Sequence, residues 1–399
     1  MPIPIAVAMT VMREANSETT PSLARVDRGG GSARRRGGRP NTSMPRNSLA
    51  NALPFGCLVQ LASGVRQTGV MTVALAELLE TARVVALPMA TRFRGVDVRE
   101  ALLLRGPAGW TEFSPFVEYD DAEAAAWLAA AIDFGWRDIP LPSGAPDVIR
   151  VNATLPAVKA DAVDAILDRF PGCRTIKVKV AEAGQSLSDD VARVAKARDY
   201  LGPDGRIRID ANGGWNVDEA EHAIHALAEF DLEYAEQPCA TVDELAQIRK
   251  RVKYMGIPIA ADESVRKAAD PVAVAKAKAA DILIIKAQPL GGIANALRIV
   301  KKAKLPVVVS SALDTSVGLS MGAYLAASIP GGVSFDSGLA TAALLAADVT
   351  QTPLLPENGQ IPVKRVEVDD TLLAQFAASP ARTQWWLDRL RRAHALLTD

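Results

Sequence analysis

"TIKVKV", residues 175–180, sets two lysines two positions apart in an otherwise apolar run. In an extended strand successive side chains point to opposite sides. Lys177 and Lys179 therefore share one face, while Ile176, Val178 and Val180 share the other. Taken alone, a Lys-x-Lys pair is the solvated outer face of a sheet. The sequence around it argues for something else.

From residue 148 onward, short apolar runs alternate with helical stretches. The runs are "VIRVNA", "TIKVKV", "RIRIDA", "LEYAEQ", "IPIAADE", "DILIIKA", "LPVVVSSA" and "GVSFDS"; the helical patterns include "DDVARVAKARDYL" and "VDEAEHAIHALAEF". Near-continuous apolar strands separated by helices imply a parallel sheet covered by helices. The polar residues near the run ends are Asn152, Lys177, Asp210, Glu236, Asp262, Lys286, Ser310 and Ser334, at intervals of 25, 33, 26, 26, 24, 24 and 24. Such a repeat predicts a (β/α) barrel rather than an open doubly wound sheet. No Gly-x-Gly-x-x-Gly or phosphate loop follows the first strand, which speaks against dinucleotide binding.

In a barrel the active site forms where the C-terminal strand ends converge. Here consecutive ends carry Lys, Asp, Glu, Asp and Lys. Three converging carboxylates repel one another unless a cation neutralises them, and an unpartnered buried ion is costly. Asp210, Glu236 and Asp262 are hard oxygen donors without neighbouring Cys or His, a set suited to Mg²⁺ or, as substitute, Mn²⁺. The bland alternative is three acids that are each salt-bridged locally. Asn212 and Arg208 lie on the Asp210 side and are candidates to support the metal or substrate. Glu263 is expected to act behind the ligands or to cap a helix.

A free lysine amine titrates about 3 units above neutrality, so a lysine base needs its pKa lowered. A neighbouring like charge and a divalent ion both do this, and Lys177 beside Lys179 meets the first condition. A base facing a metal-bound carboxylate points to removal of a proton α to that carboxylate.

"KVK", "DANGGW", "EQP", "ADES" and "IIKAQPLGG" resemble the muconate-lactonising branch of the enolase superfamily, over nearly all of residues 82–370. The resemblance implies an α/β fold, a modified (β/α)₇β TIM-type barrel with an α+β capping domain. Expected boundaries are 71–145 for the cap, 146–345 for the barrel and 346–399 for a C-terminal segment partly returning to the cap. The cap would take "LPMATRFRGVDVREALLLRG", "GWTEFSPFVEYDD", the helix "DAEAAAWLAAAIDFGW" and "QIPVKRVEV", with Phe93–Gly95 and Phe113–Phe116 closing over substrate. The first two of these segments look most like the actinobacterial o-succinylbenzoate synthases.

Carried across by matching motif, Lys179 is the acid/base, Lys177 tunes it, and Lys286 stabilises an enediolate. Asp210, Glu236 and Asp262 are the metal ligands. Ser310 and Ser311, in "SSALDTSVGL", are candidates for the distal part of the substrate, although one of them could cap the next helix. The implied reaction is Mg²⁺-dependent syn-dehydration of 2-succinyl-6-hydroxy-2,4-cyclohexadiene-1-carboxylate to o-succinylbenzoate in menaquinone biosynthesis. The same machinery would serve an N-acylamino-acid racemase, a dipeptide epimerase or a muconate cycloisomerase. A non-catalytic metal-binding barrel scaffold is the alternative of another class.

The rest of the chain bounds these expectations. Residues 1–70 hold nine Arg and three acids, a net of +6 that leaves −7 for residues 71–399 out of a total of −1. They are expected to be a disordered basic extension, or an upstream extension of the reading frame with Met71 as the start. Nucleic acid is not the expected partner, because the arm lacks interleaved aromatics and the remainder is acidic; a small carboxylate is. Cys57, Cys173 and Cys239 form no CxxC or Cys/His cluster, which points to a reducing, cytoplasmic setting. His222, His225 and His394 are not placed for base chemistry, and no run reads as a membrane span. Oligomeric state is left open.

Overall fold

The computed structural model describes residues 73–267 and 270–398. The basic segment 1–70 and Met71 lie outside the described residues. Three strands, β1 (Arg83–Phe93), β2 (Val96–Gly106) and β3 (Gly109–Phe113), form an antiparallel sheet in the order β1-β2-β3. The helix Asp121–Trp136 packs on this sheet and buries Trp127, Leu128 and Phe134. Its Asp120 cap accepts the Glu123 N–H at 2.7 Å. This is the capping domain.

After β4 (Val148–Arg150) comes a curled parallel sheet: β5 (Ala153–Leu155), β6 (Thr175–Lys179), β7 (Arg206–Asp210), β8 (Leu232–Glu236), β9 (Ile259–Ala261), β10 (Ile282–Ile285) and β11 (Val307–Val309). Its order follows the chain, as expected for βα units with right-handed crossovers. The helices between strands start where short polar side chains can cap them. Capping boxes pair Ser186 with Asp189, Asn216 with Glu219, and Thr241 with Glu244. Each such cap stabilises its helix by about 1 kcal/mol.

Both faces of β6 are buried. Ile176 and Val178 join Ile207, Ile209, Leu283 and Val309 in the core between sheet and helices. A separate inner core of Tyr234, Ala260, Ile282, Ile284 and Val308 fills the barrel interior, with Phe335 packed against it. Val151 bridges Ser337 and Ser310 bridges Gly338, both in parallel, so the barrel closes through two residues in place of a full eighth strand. Asn152 N–H donates to Ser337 O at 2.9 Å, and Ser311 N–H to Gly338 O at 3.0 Å.

Two strand-end positions therefore differ from those expected by spacing. Asn152 precedes its strand rather than ending it, and the closing residues are Ser337 and Gly338, not Ser334. The reason is that alternation fixes which face a side chain takes but not its depth along the barrel.

The segment "QIPVKRVEV" divides: β12 (Gln360–Pro362) pairs antiparallel with β4 and not with the cap sheet, while Arg365 reaches the cap helix, its guanidinium 4.0 Å from the Phe134 ring centre and donating to Arg137 O at 3.2 Å. The final helix, Pro380–Thr398, also returns to the cap. It buries Trp386 edge-on to Phe113, and Arg389 donates to the carbonyls of Pro115, Phe116 and Tyr119 at 3.2, 3.0 and 2.6 Å. No helix among the described residues is long and apolar enough to cross a membrane.

Candidate active site

Strand register brings the charged residues together. Lys179 pairs with Asp210 and Asp210 with Glu236, so adjacent strands place these three side by side. Asp262 follows β9 and begins the helix Glu263–Arg266. Gln237, in the left-handed region at φ 39°, fixes that turn, because its Oε1 accepts the Asp262 N–H at 3.0 Å and the Ser264 N–H at 3.3 Å.

Every one of the six charges is at least 90 % buried and has an opposite neighbour. Lys177 Nζ lies 2.9 Å from Glu236 Oε1 and 3.1 Å from Asp210 Oδ2. Lys179 Nζ is 2.5 Å from Asp210 Oδ2 and 2.6 Å from Asn212 Oδ1. Lys286 Nζ is 2.6 Å from Asp262 Oδ2. Three ammonium groups balance three carboxylates, yet the balance is uneven. Burial pulls the Lys177 ammonium down, but Glu236 and Asp210 outweigh it and hold its pKa well above the ordinary lysine value. Lys179 goes the other way. Burial and the Lys177 charge lower it more than Asp210 raises it. Glu236 is pushed up to about 7, by burial first and then by Asp210. Asp210 is held far below the carboxylate range because Lys179 and Lys177 overcome the effect of its burial. Asp262 is likewise held down at about 2, with Lys286 and Arg266 outweighing burial.

As the side chains stand, no three His, Cys, Asp or Glu among the described residues are arranged to hold a metal ion, since lysines stand between the acids. The donor set nevertheless fits a hard divalent cation. It offers three carboxylates on neighbouring strand ends, and the buried Asp262 Oδ1 takes no hydrogen bond, with Arg266 Nε beside it at 3.3 Å. A divalent ion would also relieve Glu236, the carboxylate least able to hold its charge here.

Five of the six charges, Lys177, Lys179, Asp210, Asp262 and Lys286, line a cavity of about 40 Å³ under the cap together with Phe93, Arg94, Phe116, Thr154 and Asn212, while Glu236 sits behind Lys177. Phe93 places its ring 5.5 Å from Lys179 Nζ. Ser310, Ser311, Ala312 and Leu313 form another wall. Gly338 is required beside them, because a Cβ there would lie 2.5 Å from Ser310 Oγ. The Ser311 hydroxyl donates to Gly338 O at 2.7 Å, so it serves the barrel closure, and the next helix is capped by Thr315 rather than by either serine. Glu263 does not cap a helix with its side chain; it receives Arg266 at 2.7 Å and Asn212 Nδ2 at 3.2 Å.

Arg208 does not join this group. Its guanidinium turns to the barrel floor, donating to Glu233 Oε2 at 2.5 Å, Asn152 Oδ1 at 2.9 Å and Asp336 O at 2.7 Å. It faces inward, as its alternation requires, but one inward position lower than Asp210. Gln237, Thr154 and Arg266 were not singled out from sequence, and Arg94 only as part of the Phe93–Gly95 loop. Gln237 and Arg266 were within reach, the first inside "EQP" and the second one helical turn after Asp262.

Residues 158–367 match the enolase C-terminal domain-like family, and residues 84–135 the enolase N-terminal domain-like family. Among solved structures, the muconate lactonizing enzyme from Pseudomonas putida superposes with a TM-score of 0.62 at 19% identity, over 74% of this chain and 98% of that one. The L-Ala-D/L-Glu epimerase from Bacillus subtilis gives 0.60 at 22%, over 72% and 96%. At these identities the likeness shows the fold, a capped barrel; the two family matches place the chain in the enolase superfamily. Sequence relatives narrow it further. The o-succinylbenzoate synthase of Thermobifida fusca (strain YX) is 52% identical over 79% of this chain and 96% of its own length. That of Mycolicibacterium smegmatis (strain ATCC 700084 / mc(2)155) is 51% identical over 81% and 98%. The chain belongs to the o-succinylbenzoate synthase family and is an enzyme.

Proposed function

We propose that this enzyme catalyses the Mg²⁺-dependent syn-dehydration of 2-succinyl-6-hydroxy-2,4-cyclohexadiene-1-carboxylate to o-succinylbenzoate, as a cytoplasmic step of menaquinone biosynthesis. The observation that carries the reading is one cavity lined by Lys179, Lys286, Asp210 and Asp262, with Glu236 just behind it on Lys177. Asp210, Glu236 and Asp262 would hold the ion, which when bound supplies positive charge beside the substrate carboxylate.

Lys179 removes the proton α to the ring carboxylate, a task served by its lowered pKa. Lys286, whose ammonium borders the same cavity, stabilises the enediolate charge that develops. Lys179, now an ammonium, returns its proton to the departing hydroxyl on the same face. Water leaves, and aromatisation of the ring drives the step. Lys177 keeps its charge throughout and biases Lys179 toward the free amine. The cavity walls from Ser310 to Leu313 and from Phe93 and Arg94 would meet the succinyl arm.

The placing of Lys179 and Lys286 on one cavity also suits two-base racemisation of an N-succinylamino acid. The two readings separate in a paired assay of the purified full chain with Mg²⁺. Dehydration of the cyclohexadiene carboxylate, abolished by a chelator, is the expected result; rapid racemisation without dehydration would replace it.

A further inference from the structure

The wall segment Ala312–Ser316 belongs to the barrel, yet the cap holds it. Arg99 on β2 is buried and donates from Nε to Leu313 O at 2.9 Å and from Nη2 to Ala312 O at 3.4 Å. The same Nη2 donates at shorter range to Ser114 O and Ser114 Oγ, Nη1 donates to Glu100 O, and the guanidinium lies 4.7 Å from the Phe116 ring centre. Glu112 on β3, fully buried, holds the far end of the same segment and is joined to Arg99 through Ser114, whose Oγ accepts from Arg99 Nη2 at 2.9 Å and donates to Glu112 Oε1 at 2.5 Å. Its Oε2 accepts Thr315 N–H at 3.1 Å, Thr315 Oγ1 at 2.6 Å and Gly318 N–H at 3.0 Å. A carboxylate from another domain thus satisfies the start of the helix Ser316–Ala327. The approach requires glycine at 318, because a Cβ would sit 2.8 Å from Glu112 Oε2, Gln288 Nε2 and Asp314 Cβ alike.

Between these two anchors Leu313 takes φ 63°, the left-handed region that a branched side chain occupies only when its surroundings impose it. Leu313 and Ala312 are wall residues of the catalytic cavity. We propose that Arg99 and Glu112 are positioning residues. They clamp the Ala312–Ser316 segment from the cap, force Leu313 into its left-handed conformation, and so set the shape of the pocket that takes the substrate's distal arm. Pocket shape and cap docking are then one event, since the barrel's own wall is completed by cap residues about 200 positions upstream. The clamp carries two acids, Glu112 and Asp314, for one guanidinium, and burial followed by Asp314 pushes the Glu112 carboxyl up to about 7. Its hold therefore depends on hydrogen bonds more than on paired charge.

The kinetic part of this inference rests on the reaction proposed above. Its conformational part does not. Arg99→Lys keeps the charge but loses the guanidinium fork, and Glu112→Gln keeps the size but replaces an acceptor with a donor. Both variants are expected to raise KM for the cyclohexadiene substrate by about 10-fold or more with kcat within about threefold, and to speed amide exchange across residues 312–319 by at least about 10-fold. In a Leu313→Gly background, where the left-handed conformation carries no steric cost, the KM penalty of Arg99→Lys should shrink below about threefold. Unchanged exchange across 312–319 overturns the clamp whatever the substrate. An equal loss of kcat and KM with the same penalty in the glycine background also overturns it, leaving only a structural role. A wild-type chain without dehydration activity would refute the reaction, and exchange alone would then decide the clamp.

Discussion

The two ends of the barrel both bury ions, and they do it differently. At the floor, Arg208 spreads a planar fork over Glu233, Asn152 and the Asp336 carbonyl, with its guanidinium 4.9 Å from the Tyr234 ring centre and 5.8 Å from that of Phe335. Each contact has a fixed direction, and the cation has no competing claim on its proton. At the opposite end, compact ammonium groups face three acids, and the compromise leaves Glu236 up at about 7 and Lys179 lowered. Cavity size does not identify the reactive end either. The floor face opens on about 280 Å³ lined by the exposed Arg150, Arg174 and Arg206, against about 40 Å³ beneath the cap. The distinguishing property is buried charge that remains in competition, closed off by a second domain.

The sharpest way to break this contrast is Lys179→Ala. It should cut turnover by about 10⁴-fold while leaving the circular dichroism and melting temperature close to wild type. Near-full turnover would remove Lys179 as the proton carrier. Arg208→Met should do the converse. Leaving Glu233 and Asn152 without their buried partner costs about 3–5 kcal/mol in a denaturant titration, while kcat of the folded fraction changes by only a few-fold. A large kcat loss without loss of stability would make the floor part of the site. Smaller again is Glu236→Gln, which should weaken Mg²⁺ binding by about 10- to 100-fold in calorimetry. Wild-type affinity in that variant would show that the three acids are a salt-bridge lattice and nothing more.

This contrast also explains what could be read without coordinates. Inward-facing strand ends are a local property: alternation within "TIKVKV" and the spacing to Asp210, Glu236, Asp262 and Lys286 carry it. Depth is not local. Arg208 and Asp210 share a face two residues apart on β7, about 6–7 Å along the strand, and only the strand's seating in the barrel decides that the first reaches the floor and the second the cavity. Asn152 was misplaced for the same reason, lying before its strand and bonding Arg208. The cap's grip on the barrel was illegible for a different cause. Glu112 and Thr315 are 203 residues apart, and neither has a pattern that names the other. Buried single acids and arginines of this kind acquire meaning only from the partner that tertiary packing brings.

That third ion network, between cap and barrel, supplies the mildest test. Like the reactive end it buries charges in competition, Glu112 and Asp314 with one Arg99, but none of the three lines the catalytic cavity. Glu112 has a folded-state value raised to about 7, burial being the main cause and Asp314 the next. An unfolded glutamate titrates near 4.3. The folded protein therefore holds a proton that the unfolded chain has released between these values. Stability from this group is complete below about pH 4.3 and is lost as pH rises through about 7. Glu112→Gln cannot titrate, so its stability should decline less between pH 5 and 7 than that of wild type, by on the order of 1–2 kcal/mol in parallel denaturant titrations. Identical slopes would mean that Glu112 stays ionised in the folded state, and that Arg99 settles this network as firmly as the floor's fork settles Arg208.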